Sequence, residues 1–263
     1  MTDITAGTLT GAARPRLGAA RNVLDPLGFL VAAILIWELI VRLTGIHSVL
    51  LPSPTAVGEI LITRAELLAR SMGQTLITVG LGFALGGLFG FISGLLIHRS
   101  DVIRRAVYPV LVSLYVIPKA VFIPLMLLWW GVDIKYKLVV TVLLVFFPVT
   151  ENTVRGLEGV ESGMIELSRS LRASESFIFR KVSLPYILPF VLAGLRIGLT
   201  EAFIGAVLSE VLAPRDGIGS RIVEAGVFSN TAFIIAGITV IAVTGLSIYF
   251  LMVQLEKRLT HWY

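Results

Sequence analysis

Six stretches of the chain are apolar almost throughout: residues 26–44, 75–97, 107–130, 138–153, 186–212 and 232–253. A helix needs about 20 apolar residues to cross roughly 30 Å of hydrocarbon, whereas a spanning strand needs about 10 and alternates apolar with polar positions. Length and uniformity therefore predict an all-α polytopic membrane protein with about six transmembrane helices. Residues 1–22, rich in Thr, Gly, Ala and Arg, carry no apolar run. They read as a disordered cytoplasmic tail rather than a signal peptide, leaving residues 23–263 as one transmembrane domain.

Composition agrees and narrows the chemistry. Charged residues make up 15% of the 263 positions, against about 25% in soluble domains. The absence of cysteine excludes disulfides, thiolate metal sites and cysteine nucleophiles. His47, His98 and His261 form no metal-binding spacing, and none of the five lysines follows a glycine. The chain thus lacks a P-loop, and no cofactor or metal is expected in it. Thirteen Arg and Lys lie in segments on the side of the N-terminus and seven on the other, with Lys119 and Arg196 inside spans. The positive-inside rule places both termini in the cytoplasm, so the net charge of +5 is topological rather than a nucleic-acid footprint.

In the second run Gly82, Gly86, Gly90 and Gly94 recur every four residues. One glycine stripe on a helix face predicts close packing within the subunit. Charges inside apolar runs are costly unless paired or hydrated, which makes Glu38, Lys119, Arg196, Glu201 and Glu210 candidates. At about 1.5 Å per residue, Lys119 and Arg196 both lie roughly 16 Å from the cytoplasmic face. Two readings stay open for them and for Glu201: an anion pathway, or a structural network in which Glu201 or carbonyls freed around Pro118 pair the cations. Glu38 reads as a packing residue, and Pro118 and Pro124 as kinks in the third run. Residues 213–231 are too polar to span; Gly217 and Gly219 mark a turn, and Ser220 is expected to cap a short helix through Val227. With residues 46–72 this segment forms either a docking surface for an external partner or a plain lid.

The longest loop on the cytoplasmic side, residues 155–184, reads RGLEGVESGMIELSRSLRASESFIFRKVSL and is followed by Pro185. Val160, Met164, Leu167 and Leu171 fall on one face of a short helix. Ser174 is a candidate N-cap for a second turn carrying Phe177, Ile178 and Phe179. Aromatic side chains at the tip of a charged loop need a cover, either the membrane surface or a partner protein.

This loop resembles the coupling segment of ABC-importer permeases, in which Glu-Ala-Ala is followed by Gly at the seventh position and by an apolar residue, a spacer, Leu and Pro at positions 17 to 20. Glu166 opens the pattern and Val182, Leu184 and Pro185 close it, while Leu167 and Ser168 replace the alanines and Arg172 the glycine. Leu51-Pro52-Ser53-Pro54, Ile117-Pro118-Lys119-Ala120, Gly194-Leu195-Arg196-Ile197-Gly198, Leu255-Glu256-Lys257-Arg258-Leu259 and Trp262 narrow the resemblance to nitrate, sulfonate, taurine and bicarbonate permeases.

The resemblance implies a type I ABC-importer permease fold in a prokaryotic cytoplasmic (inner) membrane, without catalytic residues of its own. It implies a homodimer seated on two cytoplasmic ABC ATPase subunits that bind ATP and Mg, with solute delivered by an external substrate-binding protein. Glu166, Ser168, Leu171, Arg172, Phe177, Phe179, Leu184 and Pro185 would form the ATPase-coupling loop. A small anionic solute of the nitrate, sulfonate, taurine, bicarbonate or organic-acid type would pass Lys119, Arg196 and Glu201. The alternative use of those three is ion coupling in a secondary transporter, which predicts an inverted repeat that the sequence does not show.

Overall fold

The computed structural model describes residues 17–260. Of the tail expected over residues 1–22, positions 1–16 lie outside the described residues and the remainder opens α1 (Leu17–Thr44); Trp262 also lies outside them. The chain continues through α2 (Pro54–Thr63), α3 (Ala65–Arg99), α4 (Asp101–Val116), α5 (Ile123–Trp130), α6 (Ile134–Glu158), α7 (Ser162–Ser170), α8 (Glu175–Ile178), α9 (Leu184–Leu212), α10 (Ile218–Val227) and α11 (Thr231–Leu259). No strand occurs among the described residues.

At the centre stands α6, held between two faces of small residues. Gly82, Gly86, Gly90 and Gly94 of α3 oppose Thr141, Val145, Val149 and Thr153 of α6, turn against turn, and a methyl group on any of these glycines would come within 2.3–2.7 Å of α6 atoms. The β-branched partners are already confined to few rotamers by the helix, so seating them in a glycine groove costs little further entropy. From the other side, Gly194, Gly198 and Gly205 of α9 approach Asn152, Val145 and Thr141, where an added methyl would stand 2.9, 3.1 and 3.1 Å away. In lipid, where apolar burial gives helices little reason to associate, such close backbone approach supplies the packing energy.

Among the described residues four stretches are long and apolar enough to cross a membrane: α3, α6, α11 and the continuous Glu175–Leu212. The third run, expected as one kinked span over 107–130, is instead broken. Its first helix ends at Val116, Ile117 is extended (φ −68°, ψ 129°), and a 3-10 turn over Lys119–Phe122 leads into α5. A proline ring excludes the preceding residue from the helical region and removes an N–H, so Ile117-Pro118 interrupts the helix.

Glu38 of α1 has the packing role expected of it. Its carboxylate accepts hydrogen bonds from the Thr55 N–H and hydroxyl, each at 3.1 Å, and from Arg42 Nε at 2.5 Å. Thr55 lies in the first turn of α2, whose N–H groups have no helical acceptor, so Glu38 caps α2 from a neighbouring helix.

Candidate functional site

The 155–184 segment folds as two short helices joined by a tight turn. At the end of α7, the Arg172 N–H donates to the Arg169 carbonyl at 2.9 Å and the Ala173 N–H to the Ser168 carbonyl at 3.1 Å. This is a Schellman termination, which needs a left-handed residue and usually takes glycine. Arg172 supplies that conformation itself, with φ 58°. The turn of the family pattern therefore survives loss of its glycine, at a cost of about 1 kcal/mol for the Cβ.

Ser174 caps α8 as expected, its hydroxyl accepting from the Phe177 N–H at 3.3 Å. Arg169 clips α7 to α8, donating to Glu175 from Nε at 2.9 Å and from Nη2 at 3.4 Å. The hydrogen bond, and secondarily the charge of Glu175, push the Arg169 guanidinium above its ordinary value. Both partners are exposed, so solvent screens the pair and its contribution is small.

Within α7 and α8 only Ile178 is buried, while Leu157 and Ser183, where the segment leaves α6 and enters α9, are buried as well. Leu171, Leu167, Phe177 and Met164 face outward, at 75, 64, 53 and 49% exposure. Val160 does not share their face: α7 starts at Ser162, and Val160 packs against Leu157 and Ile187 inside the bundle. Glu166 is exposed, and Ser168, half-buried, donates its hydroxyl to the Met164 carbonyl at 2.8 Å. Phe179, half-buried, begins a π-helical turn over Phe179–Ser183 in which the Leu184 N–H reaches the Phe179 carbonyl. Pro185 and Pro189 follow without N–H groups, leaving the carbonyls four residues back unpaired by the helix and the turn free to widen. Leu184 is half-buried and Pro185 exposed.

The three charges assigned to the membrane interior separate into two places. Lys119 sits in the 3-10 turn, half-buried, with Nζ 5.9 Å from the centre of the Phe147 ring and within electrostatic reach of Glu201. Arg196 turns to α11, where Nη1 lies 3.2 Å from Glu256 Oε2. Glu256 figured in the sequence only as part of a C-terminal motif, and no spacing links it to Arg196.

At the opposite end of the bundle lies a polar cluster that the sequence did not reveal. Glu210, with no exposed surface, accepts from the Thr75 hydroxyl at 2.9 Å and from the Gly219 N–H at 2.9 Å. Thr75 in turn accepts from the Ile218 N–H at 3.0 Å, and Gln74 from the Gly217 N–H at 3.1 Å. The first turn of α10 is thus capped by α3 and α9, with a carboxylate at its positive end. Ser220 does not cap α10: Gly217, at φ 95°, opens the helix, and the buried Ser220 hydroxyl donates to the carbonyls of Asp216 at 2.8 Å and Glu210 at 3.2 Å. Lys137, which falls between the third and fourth apolar runs and was counted outside the spans, is buried in α6 and bridges to the Asp216 carboxylate and, at 2.9 Å, to its carbonyl. The Tyr136 hydroxyl lies 2.8 and 3.0 Å from the last carbonyls of α9, Ser209 and Ala213.

Residues 86–261 match the family described as "Binding-protein-dependent transport system inner membrane component". The formylaminopyrimidine transport permease ThiX of Halalkalibacterium halodurans is 36% identical over 199 residues, 75% of this chain and 79% of its own. The taurine transport system permease TauC of Escherichia coli is 30% identical over 251 residues, 93% of this chain and 91% of its own. In fold, a structure of the MetNI methionine ABC transporter superposes with a TM-score of 0.66 over 75% of this chain and 98% of that one, at 19% identity. The broken third helix, the clamped α6 and the helical 155–184 unit therefore sit in a type I permease fold, and the chain belongs to the family of ABC-importer permeases, as a multi-pass protein of the inner membrane.

Proposed function

We propose that two copies of this chain form the pathway of an ATP-driven importer for a small anionic solute of the nitrate, sulfonate, taurine, bicarbonate or organic-acid type. ATP and Mg are bound by two cytoplasmic ABC ATPase subunits, and an external substrate-binding protein delivers the solute. The observation that carries this reading is the outward apolar face of Met164, Leu167, Leu171 and Phe177 on a unit clipped by Arg169 and Glu175 and anchored at Ile178. A shaped apolar surface beside charged residues favours a protein groove over lipid. Through the π-helical turn, a push on this unit reaches α9 directly. Glu166, Ser168, Arg172, Phe179, Leu184 and Pro185 complete the coupling segment. A chain without a P-loop needs such a lever, because uphill transport requires energy from elsewhere.

In the complex purified with its ATPase, Phe177→Asp is expected to leave the permease inserted while reducing retention of the ATPase and solute-stimulated ATP hydrolysis at least about tenfold, since a charge replaces a desolvated anchor. Unchanged retention and hydrolysis would overturn the coupling assignment. The anion reading rests on Lys119, opposed by Glu201 at the helix break. Lys119→Met is expected to change which anions compete for uptake while assembly holds; unaltered competition across a panel of anions would remove Lys119 from the pathway. Arg196, bound to Glu256, is assigned to holding α9 against α11.

A further inference from the structure

Between α3 and α9, on the outer surface of the bundle, runs a groove of about 310 Å³ whose walls are Phe83, Gly87 and Phe91 on one side and Leu184, Leu188 and Leu195 on the other. Its lining is apolar throughout, and Ala84 and Leu88 on its rim are exposed. From Phe83 to Phe91 it follows about 12 Å of α3, and from Leu195 to Leu184 about 16 Å of α9. That is the depth of one leaflet, half of the roughly 30 Å hydrocarbon core. The groove exists because α3 spends its other face on α6: Gly82, Gly86, Gly90 and Gly94 close that contact, while toward α9 only Gly87 of α3 is tightly met, by Leu195, and the phenylalanines on either side hold the helices apart.

Beyond the end of the groove both helices carry basic residues. The α9 residues lining it, 184, 188, 191 and 195, follow one helix face, and one turn before Leu184 that face continues to Arg180 in the π-helical turn. Arg180 and Lys181 are both exposed. On the facing helix, α3 ends in His98 and Arg99, and Arg99 lies within electrostatic reach of Glu175. The Glu175 carboxylate is already engaged by Arg169, and Glu158 by Arg104 at 2.9 Å. An apolar slot one leaflet deep, with its cationic mouth at the level where α9 enters the bundle, matches a molecule with an acyl chain and an anionic head.

We propose that this groove binds one anionic phospholipid, its acyl chain lying between α3 and α9 and its phosphate on Arg180, with Lys181 and Arg99 supplying the surrounding positive field. Basic residues at a membrane surface each contribute about 1 kcal/mol toward anionic headgroups, and the slot adds shape to that attraction. The head rests on the turn that joins the 155–184 unit to α9, so the bound lipid braces the hinge through which that unit acts.

The test uses the assembled transporter extracted from membranes containing phosphatidylglycerol and phosphatidylcholine, exchanged into detergent and weighed intact by mass spectrometry. The wild-type complex is expected to retain phosphatidylglycerol, up to one per permease, in preference to phosphatidylcholine. Arg180→Gln should reduce that preference about fivefold and Arg180→Lys should keep it. Ala84→Leu, a lipid-facing change that fills the groove, should abolish retention of both lipids while the complex stays assembled. Equal retention of the two lipids by the wild type, or unchanged retention by both Arg180→Gln and Ala84→Leu, overturns the proposal. So does an Ala84→Leu complex that loses a permease copy instead of lipid, which would make the groove a seat for another chain. Because the readout is lipid mass, it is separate from ATPase coupling: Phe177→Asp should retain the lipid even where the ATPase is lost.

Discussion

At the α9–α10 end of the bundle, Glu210, Thr75 and Ser220 bury their polar groups in one another and the buried Lys137 bridges to Asp216; at the 155–184 end, Met164, Leu167, Leu171 and Phe177 leave their apolar groups in the open. Each end inverts the usual distribution, and the contrast separates two kinds of connection. The first joins α3, α6, α9 and α10 through hydrogen bonds made far from water, where every donor left without an acceptor is expensive. It fixes α10 as a rigid extension of the bundle. Between α7 and α8 the second is held by a Schellman turn, a serine cap, one exposed ion pair and the buried side chain of Ile178. Such contacts preserve the shape of the unit while leaving its outer face without cover, as the coupling role proposed for it requires.

The largest difference between the two ends should appear on deletion of a buried acceptor. Glu210→Ala leaves the Thr75 hydroxyl and the Gly219 N–H without their partner, and is expected to destabilise the protein by about 3 kcal/mol. Phe177→Asp, on an exposed side chain, is expected to leave thermal stability within about 0.5 kcal/mol of wild type. Melting of the two variants in the same detergent checks the pair. A Glu210→Ala protein as stable as Phe177→Asp would show that the buried cluster contributes no rigidity.

A smaller effect, of opposite sign at two positions of one helix, tests the clamp that both ends share. At Gly90 an added methyl would stand 2.7 Å from the Phe146 carbonyl oxygen and 2.9 Å from Val149 Cβ, so α6 would have to shift. Gly90→Ala should cost about 1–3 kcal/mol. At Gly80 the same methyl meets nothing within 4 Å. Gly80→Ala should therefore gain up to about 1 kcal/mol from helix propensity alone. Equal responses at both sites would remove the glycine stripe from the account of how α3 and α6 pack.

What the sequence discloses follows the same division. The long helices, the Gly82–Gly94 stripe, the Ser174 cap and the two short helices of 155–184 are legible because their determinants are local: run length, four-residue spacing, a cap three residues from its donor; the π-helical turn and the place of Val160 are not. The buried cluster joins Thr75 and Lys137 to the Glu210–Ser220 stretch; these three places are remote from one another in sequence, and no periodicity points from one to another. Lys137 fell outside the apolar runs and Ser220 looked like a cap because each judgement used only neighbours in the chain. Arg196 likewise lay beyond sequence reasoning in its pairing with Glu256. The break at Ile117-Pro118 was legible as a kink, because a proline's local effect marks where a helix yields; that the chain continues as a 3-10 turn before α5 was not.

The smallest predicted effect compares the ends at a feature they have in common. Ser229, after α10, repeats the geometry of Arg172 after α7: φ is 54°, its N–H donates to the Gly226 carbonyl at 3.0 Å, and the Asn230 N–H to the Ala225 carbonyl at 2.8 Å. Both positions hold a Cβ where glycine would be unstrained. Relief of about 1 kcal/mol or more in the folded state is partly offset by the greater freedom of glycine in the unfolded chain, so Arg172→Gly and Ser229→Gly should each stabilise their turn by roughly 0.5–1 kcal/mol. The gain should be read out differently at the two ends. The α10 turn leads straight into the cap of α11, whose first turn is buried at Phe233, so Ser229→Gly should raise the melting temperature. The α7 turn opens locally, so Arg172→Gly should slow hydrogen exchange at the Ala173 N–H about threefold and leave melting unchanged. If Arg172→Gly slows that exchange yet weakens retention of the ATPase, the guanidinium contacts the partner and was kept for it; if exchange does not slow, the left-handed turn is not what limits opening of the coupling unit.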